Sequence, residues 1–311
     1  KQELFEGGHR VPLFIKGPES IIGKPKLIDQ LTHVQDLFPT LASCIDVTEL
    51  PQQIDGVDLL PLMKGEVDKL EDRMLVVNFT KTPGRVNFPD EDIPDNWAKP
   101  FKERGVVLWK KWRLLNDKTL YNISSDPHED IDIAGQYPEV VAKMSEHLDN
   151  WWEDVKEDAN TIHRVTIGSS KENPIMLSAC DWYNIFVDQQ KQVRKGDKKS
   201  GYWHVEVDRQ GTYEFEMRRW PIESGYGLND AIDVTQVTDG KLPKGKAFNI
   251  AGARIKIGDQ EKSTKVYPND KSARFTFALE AGKNSIITFF DDVQGKRILG
   301  AYYLYVKRIG K

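Results

Sequence analysis

One stretch of the chain carries hydrophobic residues at helical spacing over several turns. It begins at Pro138, and its apolar side chains recur every three or four residues, which places them on one face of an α-helix. Proline is favoured in the first helical turn, because its missing N–H costs no hydrogen bond there. The pattern predicts a long amphipathic helix whose apolar stripe packs against a core: Val140, Val141, Met144, Leu148, Trp151, Trp152 and Val155.

Shorter apolar runs predict the other elements of the first half. Residues 11–15, 74–79 and 106–115 have the length and composition of strands. Asn116-Asp117 has the residue types of a turn, after which a further short apolar run follows. Residues 27–45 contain a second predicted helix. Helices and strands are therefore mixed in this half.

From about residue 161 onward, apolar and polar positions alternate with the period of a strand. Residues 202–207 and 213–217 alternate on either side of Gln210-Gly211, which predicts a β-hairpin. Further strands are predicted at residues 253–257, 274–279, 285–290 and 301–306. Several short strands separated by glycine turns are typical of a β-sandwich.

The change of pattern predicts two domains. The segment 157–173 is polar, as expected of a connection between domains. The predicted fold class is therefore α/β for residues 1–160, followed by an all-β sandwich for residues 161–311.

Composition and charge exclude several classes of function. The chain has 311 residues, 30% of them charged, with a net charge of −4 and no basic face that would attract nucleic acid. No apolar run reaches the roughly 18 residues of a membrane-spanning helix. Cys44 and Cys180 are far apart and outside any C-x-x-C pair, which argues against a zinc or redox motif. Their apolar surroundings predict buried free thiols.

The opening segment contains candidate chemistry. The sequence lacks G-x-S-x-G, H-E-x-x-H and phosphate-loop motifs, and its six histidines are scattered. Glu6-Gly7-Gly8 precedes an apolar run, and adjacent glycines let the backbone approach another surface closely. Lys1 is a cation that could bind an anionic ester. On chemistry alone, the segment fits either an anion-binding site or an ordinary loop.

The same segment resembles a family signature. Lys1-x-x-x-Phe5-Glu6-Gly7-Gly8-x-Arg10-Val11-Pro12 resembles the second signature of the formylglycine-dependent (type I) sulfatases. Further family motifs follow in the expected order: Asp36-Leu37-Phe38-Pro39-Thr40, Asp55-Gly56-Val57-Asp58-Leu59-Leu60-Pro61-Leu62, Trp112-Arg113-Leu114 with Leu120-Tyr121-Asn122-Ile123, and Asp126-Pro127-x-Glu129-x-x-Asp132-Ile133-Ala134. The β-rich remainder resembles an accessory C-terminal domain of bacterial arylsulfatases.

The resemblance implies an enzyme of the alkaline phosphatase superfamily that hydrolyses sulfate esters. Residues 1–160 would be the C-terminal part of its catalytic domain, with the end of the main sheet and a small antiparallel sheet with a packing helix. The family uses a formylglycine nucleophile, made from Cys or Ser in C/S-x-P-x-R, and a calcium ion. Neither Cys44 nor Cys180 is followed by that signature. Nucleophile and calcium ligands are thus expected in an N-terminal half outside this chain, which alone is expected to be inactive.

The resemblance also implies roles for single residues. Lys1 matches the family lysine that contacts a sulfate oxygen, and it is the predicted catalytic residue. Glu6, Gly7, Gly8 and Arg10 are interpreted as structural, forming a turn, a close approach and a buried ion pair.

Substrate-binding residues and a cellular compartment are also predicted. His9, Lys81 and Arg85 are predicted to bind substrate, a sulfated glycan or an aryl sulfate. The alternatives are packing for His9 and a solvated surface loop for Lys81 and Arg85. No metal ligand is expected in this chain. Family habit implies a periplasmic or secreted enzyme.

Two other functions stay open from sequence alone. The chain could be a glycan-binding module in which Trp182, Tyr202, Trp203 and Trp220 form a stacking platform. Against this, Trp203 alternates with valines at the spacing of a core strand. The superfamily fold would also accommodate a phosphate or phosphonate ester hydrolase.

Overall fold

The computed structural model describes residues 3–47, 49–79, 100–183, 185 and 187–310. Within them, the chain divides into two compact units, the first ending at Asn160 and the second beginning at Thr161. The first mixes helices with one sheet, and the second is rich in β-structure. An α/β part followed by a β-rich part is therefore confirmed at this level.

The first unit contains one helix that is much longer than the others. Its α-helices, as far as the structure describes them, are α1 (Glu6–His9), α2 (Glu19–Ile22), α3 (Leu37–Cys44), α4 (Leu60–Lys64) and α5 (Pro138–Asn160). Helix α5 confirms the predicted amphipathic helix, and α3 lies within the second predicted one. No helix among the described residues is long and apolar enough to cross a membrane.

Four antiparallel strands of the first unit pair in chain order. They are β1 (Leu75–Asn78), β2 (Gly105–Trp109), β3 (Trp112–Leu115) and β4 (Thr119–Asn122). The predicted turn at Asn116-Asp117 is confirmed, since the two residues have positive φ angles of 54° and 59°. The predicted single strand over 106–115 is wrong. It is two strands joined at Lys110, whose φ is 51°, a conformation that its residue type did not reveal.

Helix α5 packs on this sheet through its apolar stripe. Met144 and Leu148 are fully buried, in one cluster with Val107 and Leu114 of the sheet. Gly105 permits the close approach, because a Cβ there would lie 2.7 Å from Leu148 Cδ1. The sheet and α5 thus form one core.

The strand predicted at residues 11–15 is wrong. The chain is irregular there, and Val11 and Phe14 are 77% and 90% exposed. No strand within the described ranges pairs with this run. A strand without a hydrogen-bonded neighbour leaves its backbone groups to water, so β-propensity alone does not form one.

The second unit is built mainly from sheets. Besides helix α6 (Gln190–Lys195), its described strands are β5 (Val165–Ile167), β6 (Ile175–Ser178), β7 (Trp203–Val207), β8 (Gly211–Arg218), β9 (Thr235–Val237), β10 (Gly240–Leu242), β11 (Gly252–Ile257), β12 (Gln260–Lys265), β13 (Ala273–Leu279), β14 (Gly282–Asp291), β15 (Arg297–Leu299) and β16 (Tyr303–Gly310). One sheet has the order β12-β11-β14-β7-β5, with β15 also beside β14. A second has the order β13-β8-β16-β6, and β9 pairs with β10.

The predicted hairpin of residues 202–217 is wrong. Strands β7 and β8 belong to different sheets, and the chain crosses from one to the other through the glycine turn. Both strands contribute fully buried side chains to one hydrophobic cluster, for example Trp203 and Phe215. Alternation followed by a turn is common to a hairpin and to such a crossing, so the pattern could not distinguish them.

Buried aromatic residues fill that cluster. Trp182, Trp203 and Trp220 are all buried, and the rings of Trp182 and Trp203 lie 5.6 Å apart. Their interpretation as core is confirmed, and a sugar-stacking platform made of them is excluded. Cys180 corrects another expectation, because it is exposed on a short 3-10 turn, and Cys44 is only half-buried.

Candidate functional site

The Glu-Gly-Gly motif forms the single helical turn α1. The N–H of Arg10 donates to the carbonyl of Glu6 over 2.8 Å, and the N–H of Gly8 donates to Phe5 over 2.7 Å. Gly8 cannot carry a side chain, because a Cβ would clash with the carbonyl group of Glu3. The turn and the close approach interpreted from the motif are therefore present.

Glu6 forms a buried ion pair with Arg113. The Nε of Arg113 donates to Glu6 Oε1, and both side chains are almost completely buried. Arg10 reaches Glu6 Oε2 only at 3.6 Å, and its side chain is 75% exposed. The buried pair expected from the motif exists, but its cation comes from strand β3, 107 residues away in sequence.

Glu129, from the last of the five motifs, completes this cluster. Its Oε2 accepts the backbone N–H of Glu6 over 2.6 Å, and its Oε1 is buried without a hydrogen-bond partner in the part of the chain that the structure describes. Burial raises the pKa of Glu129; the N–H of Glu6 and the charge of Arg113 oppose this only in part. We call Glu6, Arg113 and Glu129 the motif cluster.

The motif cluster holds α1 against strand β3. Arg113 Nη1 also donates to the carbonyls of Lys110 and Trp112, over 3.0 and 2.8 Å, which aligns the guanidinium with strand β3. A guanidinium between a carboxylate and backbone carbonyls is geometrically well determined. The role of this cluster is positioning, because Glu6 and Glu129 hold Arg113 and the backbone of α1.

The raised pKa of Glu129 gives a pH-dependent prediction for Glu129→Gln. The folded state binds the proton of Glu129 more tightly than the unfolded state, so the carboxylate destabilises the fold as the pH rises above its ordinary pKa of 4.5. The amide retains an acceptor for the N–H of Glu6 without the charge. We expect the free energy of unfolding of Glu129→Gln, relative to wild type, to increase with pH from about 4 to 8. Urea unfolding followed by far-UV circular dichroism measures it, and a flat or falling difference would contradict it.

His9 is the last residue of α1 and lies half-buried beside the motif cluster. Burial lowers its pKa; the charge of Glu6 opposes this and that of Arg113 adds to it. Its Nε2 is buried and has no hydrogen-bond partner among the described residues. His9 is therefore a neutral imidazole at neutral pH, able to donate or accept one hydrogen bond.

A second buried network joins two further family motifs. Asp36 accepts two hydrogen bonds from Arg73, over 2.7 and 2.6 Å, and one each from the N–H groups of Val57 and His33, over 3.0 and 2.8 Å. Burial alone would raise the pKa of Asp36, but the bonds from Arg73 and the two N–H groups outweigh it and lower the pKa. Asp36 is saturated, so it joins segments and is not a free ligand.

The structure describes only His9 among the predicted site residues. Lys1, Lys81 and Arg85 lie outside the described residues. Within the described ranges, no group of three or more His, Cys, Asp or Glu side chains could hold a metal ion. The buried carboxylates Glu6 and Asp36 are paired with guanidinium groups, so they do not fit a calcium site.

Sequence reasoning missed Arg113, Glu129 and Arg73 as partners. A signal for Arg113 was present, because a charged residue inside the apolar strand Trp112-Arg113-Leu114-Leu115 needs a buried counter-charge. The identity of that counter-charge depends on the fold.

Comparison with solved structures gives only weak similarities. A family 35 carbohydrate-binding module from Clostridium thermocellum is 12% identical and matches 43% of this chain and 98% of its own, with a TM-score of 0.25. A ruminal endo-β-1,4-mannanase is 15% identical and matches 45% of this chain and 27% of its own, also with a TM-score of 0.25. These values are too low to establish a fold. No family model matches the chain.

Curated sequences give a consistent similarity. Arylsulfatase K of Xenopus laevis is 28% identical over 48% of this chain and 27% of its own length. An N-acetylgalactosamine-6-O-sulfatase of Bacteroides thetaiotaomicron is 28% identical over 48% of this chain and 29% of its own. A sulfatase of Formosa agariphila is 27% identical over 52% and 30%. The chain thus spans about a quarter to a third of the length of these relatives, and about half of it is similar to sulfatases.

Proposed function

We propose that this chain is the C-terminal part of an enzyme that hydrolyses sulfate esters. The observation that carries the proposal is the Glu-Gly-Gly turn of α1, held by Arg113 and Glu129 from two other family motifs. Lys1 precedes this turn by five positions and is proposed to bind a sulfate oxygen. Because the turn is fixed, we propose that it restricts the position of Lys1. Sulfuryl transfer requires cations held in place beside the sulfate oxygens.

The reaction also needs groups that the described residues do not supply. Bound calcium would polarise the sulfate, and a formylglycine would provide the nucleophile; both are proposed to come from an N-terminal half of the same protein. This chain's own contribution is to position Lys1 and to line the substrate cleft with His9, Lys81 and Arg85. The neutral imidazole of His9 suits a hydrogen bond to an uncharged substrate hydroxyl.

The finer architecture and setting are part of the proposal. The first unit is proposed to complete an alkaline-phosphatase-type catalytic domain. The second is proposed to be a β-sandwich, because residues of its two larger sheets share one hydrophobic cluster. A relative acts on an N-acetylgalactosamine sulfate by its name, which favours a sulfated glycan over a simple aryl sulfate. Such a substrate fits an exported enzyme, either periplasmic or secreted.

Turnover of an aryl sulfate by the full-length protein tests the function. The complete reading frame is co-expressed with a formylglycine-generating enzyme, and Lys1→Ala is expected to lower kcat/KM about 100-fold by removing a cation from the transition state. Lys16→Ala is the matched control, since Lys16 is an exposed lysine outside the motif, and it should leave turnover unchanged.

Two results would reject the proposal. Absence of turnover by the modified wild type, with Lys1→Ala indistinguishable from it, would favour a binding module. Faster turnover of an aryl phosphate or phosphonate than of the aryl sulfate would favour the phosphate ester alternative within the superfamily.

A further inference from the structure

The outer face of the sheet β13-β8-β16-β6 carries an unusual row of side chains. Across the four strands, Arg274 lies opposite Glu216, Glu216 opposite Tyr305, and Tyr305 opposite Met176. The alternate residues of these strands, such as Phe215, are buried in the hydrophobic cluster. The row therefore lies on the opposite face of the sheet, although Tyr305 also packs against that cluster.

Glu216 is shared between two guanidinium groups. It accepts from Arg218 Nε over 2.6 Å and from Arg274 Nη2 over 3.1 Å. Burial alone would raise the pKa of Glu216, but Arg218 and Arg274 outweigh it and lower the pKa, so the group is a carboxylate at neutral pH. The carboxylate thereby holds both guanidinium groups in place on this face.

Arg218 has donor capacity that the fold leaves unused. The residue is only 8% exposed, yet its Nη1 has no hydrogen-bond partner within the described residues. A buried donor without an acceptor costs about 1–3 kcal/mol, so such groups are rare unless a ligand or water completes them. Its cross-strand neighbour Tyr303 accepts from Gln190 Nε2 over 2.8 Å, which adds an amide beside the same position.

An apolar strip runs alongside these polar groups. The ring of Tyr305 is half-buried, and its hydroxyl accepts the N–H of Ile222 over 3.1 Å, which fixes the ring. Met176 and Ile222 beside it are each 44% exposed. A fixed aromatic ring flanked by exposed apolar groups and by oriented donors and acceptors matches the two sides of a sugar, its C–H face and its hydroxyls.

We propose that this face of the second unit binds an uncharged sugar unit of a polysaccharide, stacked on Tyr305 and hydrogen-bonded to Arg274, Arg218 and Glu216. The inference does not depend on the proposed sulfatase activity. Charge argues for an uncharged unit, because the basic groups of this face are matched in number by its acidic ones: Arg218, Arg274 and Lys307 against Glu214, Glu216 and Glu223. A sulfate-binding face would carry an excess of positive charge.

The other large sheet offers a matched control. On its outer face, the ring of Tyr202 is stacked on His204 at 6.4 Å and 11°, and His204 Nδ1 lies 2.8 Å from Ser285 Oγ. Tyr202 is half-buried like Tyr305. Replacing either tyrosine thus removes a comparable ring from a different face.

Affinity electrophoresis of the 311-residue chain tests the proposal. The gels contain κ-carrageenan, desulfated κ-carrageenan, chondroitin 6-sulfate or unsulfated chondroitin. We expect at least one polysaccharide to retard the chain equally before and after desulfation, and still in about 0.5 M salt, where charge attraction is screened. Tyr305→Ala should weaken this binding about tenfold, and Arg274→Met should weaken it too, whereas Tyr202→Ala should not.

Each other outcome overturns the proposal. These are retardation by none of the four polysaccharides, binding that desulfation or salt abolishes, and a loss caused by Tyr202→Ala but not by Tyr305→Ala. Circular dichroism of the variants must match that of wild type, and Tyr305→Phe, which keeps the ring, should keep most of the affinity even if Tyr305→Ala unfolds. Failure here leaves turnover of a small aryl sulfate intact, so it is distinguishable from failure of the proposed function.

Discussion

Replacing Arg113 with methionine is expected to lower the free energy of unfolding of the first unit by about 3–5 kcal/mol. Methionine fills most of the same volume, so the loss arises from charge and hydrogen bonds rather than from a cavity. Glu6 and Glu129 would lose the buried cation beside them, and the carbonyls of Lys110 and Trp112 would lose their donor. Urea unfolding followed by far-UV circular dichroism measures the loss, because helix α5 dominates that signal.

Arg10→Met provides the control for Arg113→Met. Both arginines form an ion pair with Glu6, but Arg10 is mostly exposed and 3.6 Å away. Exposed pairs of this kind contribute little, so Arg10→Met should change the stability by less than about 0.5 kcal/mol. Equal effects of the two substitutions would show that burial of Arg113 is not what makes its pair with Glu6 important. Double replacement with Glu6→Gln should recover part of the loss, since it removes one of the uncompensated charges.

The local sequence pattern was sufficient to predict helix α5 and the turn at Asn116-Asp117. Helix α5 is encoded by Pro138 and by the spacing of residues such as Met144 and Leu148, which lie in the core as predicted. The turn at Asn116-Asp117 is equally local, because those residue types tolerate positive φ. Each of these features depends on neighbours within a few positions of the chain.

Features that depend on distant partners could not be predicted. Residues 11–15 have the composition of a strand, but a strand forms only beside another, and none of those described pairs with it. Strands β7 and β8 alternate as predicted, yet they pair with β14 and β16, far along the chain. Pairing is decided by which surfaces are buried together, and a linear pattern does not state that.

In the candidate site, too, local features were predicted and contacts between distant residues were not. The close approach at the glycines was interpreted from the motif, and the structure shows it at Gly8, where a Cβ would clash with Glu3. A Cβ at Gly7 would meet no atom within 4 Å among the described residues.

The partners of Glu6 were not predicted, because 107 residues separate it from Arg113 and 123 separate it from Glu129. Glu6, Arg113 and Glu129 lie in three different motifs of the sequence. The fold shows that they contact one another, which the motifs did not predict.

Replacing Arg219 with methionine is expected to destabilise the second unit by about 3–5 kcal/mol. Arg219 is fully buried, and burial lowers its pKa to about 10. It donates to the carbonyls of Asp230 over 3.0 Å, of Leu228 over 3.4 Å and of Lys246. Removing a buried charge relieves a desolvation cost, but the carbonyls of Leu228 and Lys246 would be left without a donor, and this second effect is larger. The carbonyl of Asp230 would keep the N–H of Trp220 as a donor, over 3.1 Å.

Arg219 also acts as a spacer within the loop that follows strand β8. Its guanidinium lies 4.4 Å from the ring centroid of Trp220 and 4.5 Å from that of Phe248, so it fills the space between two aromatic rings. Arg219→Lys keeps the charge but not the planar group that contacts both rings, and it should lose most of the same stability. Hydrogen exchange of peptides from residues 226–250 measures the effect where those carbonyls lie.

Arg209→Met distinguishes this role from a general effect of losing an arginine. Arg209 belongs to the same unit but forms an exposed pair with Asp208, at 3.2 Å. Its replacement should leave exchange in residues 226–250 unchanged and cost less than about 0.5 kcal/mol. If Arg219→Met exchanged no faster than Arg209→Met, the loop would be held by its apolar contacts alone. Faster exchange confined to Arg219→Met would instead show that a single buried cation orders a segment in which the described regular structure is limited to strands β9 and β10.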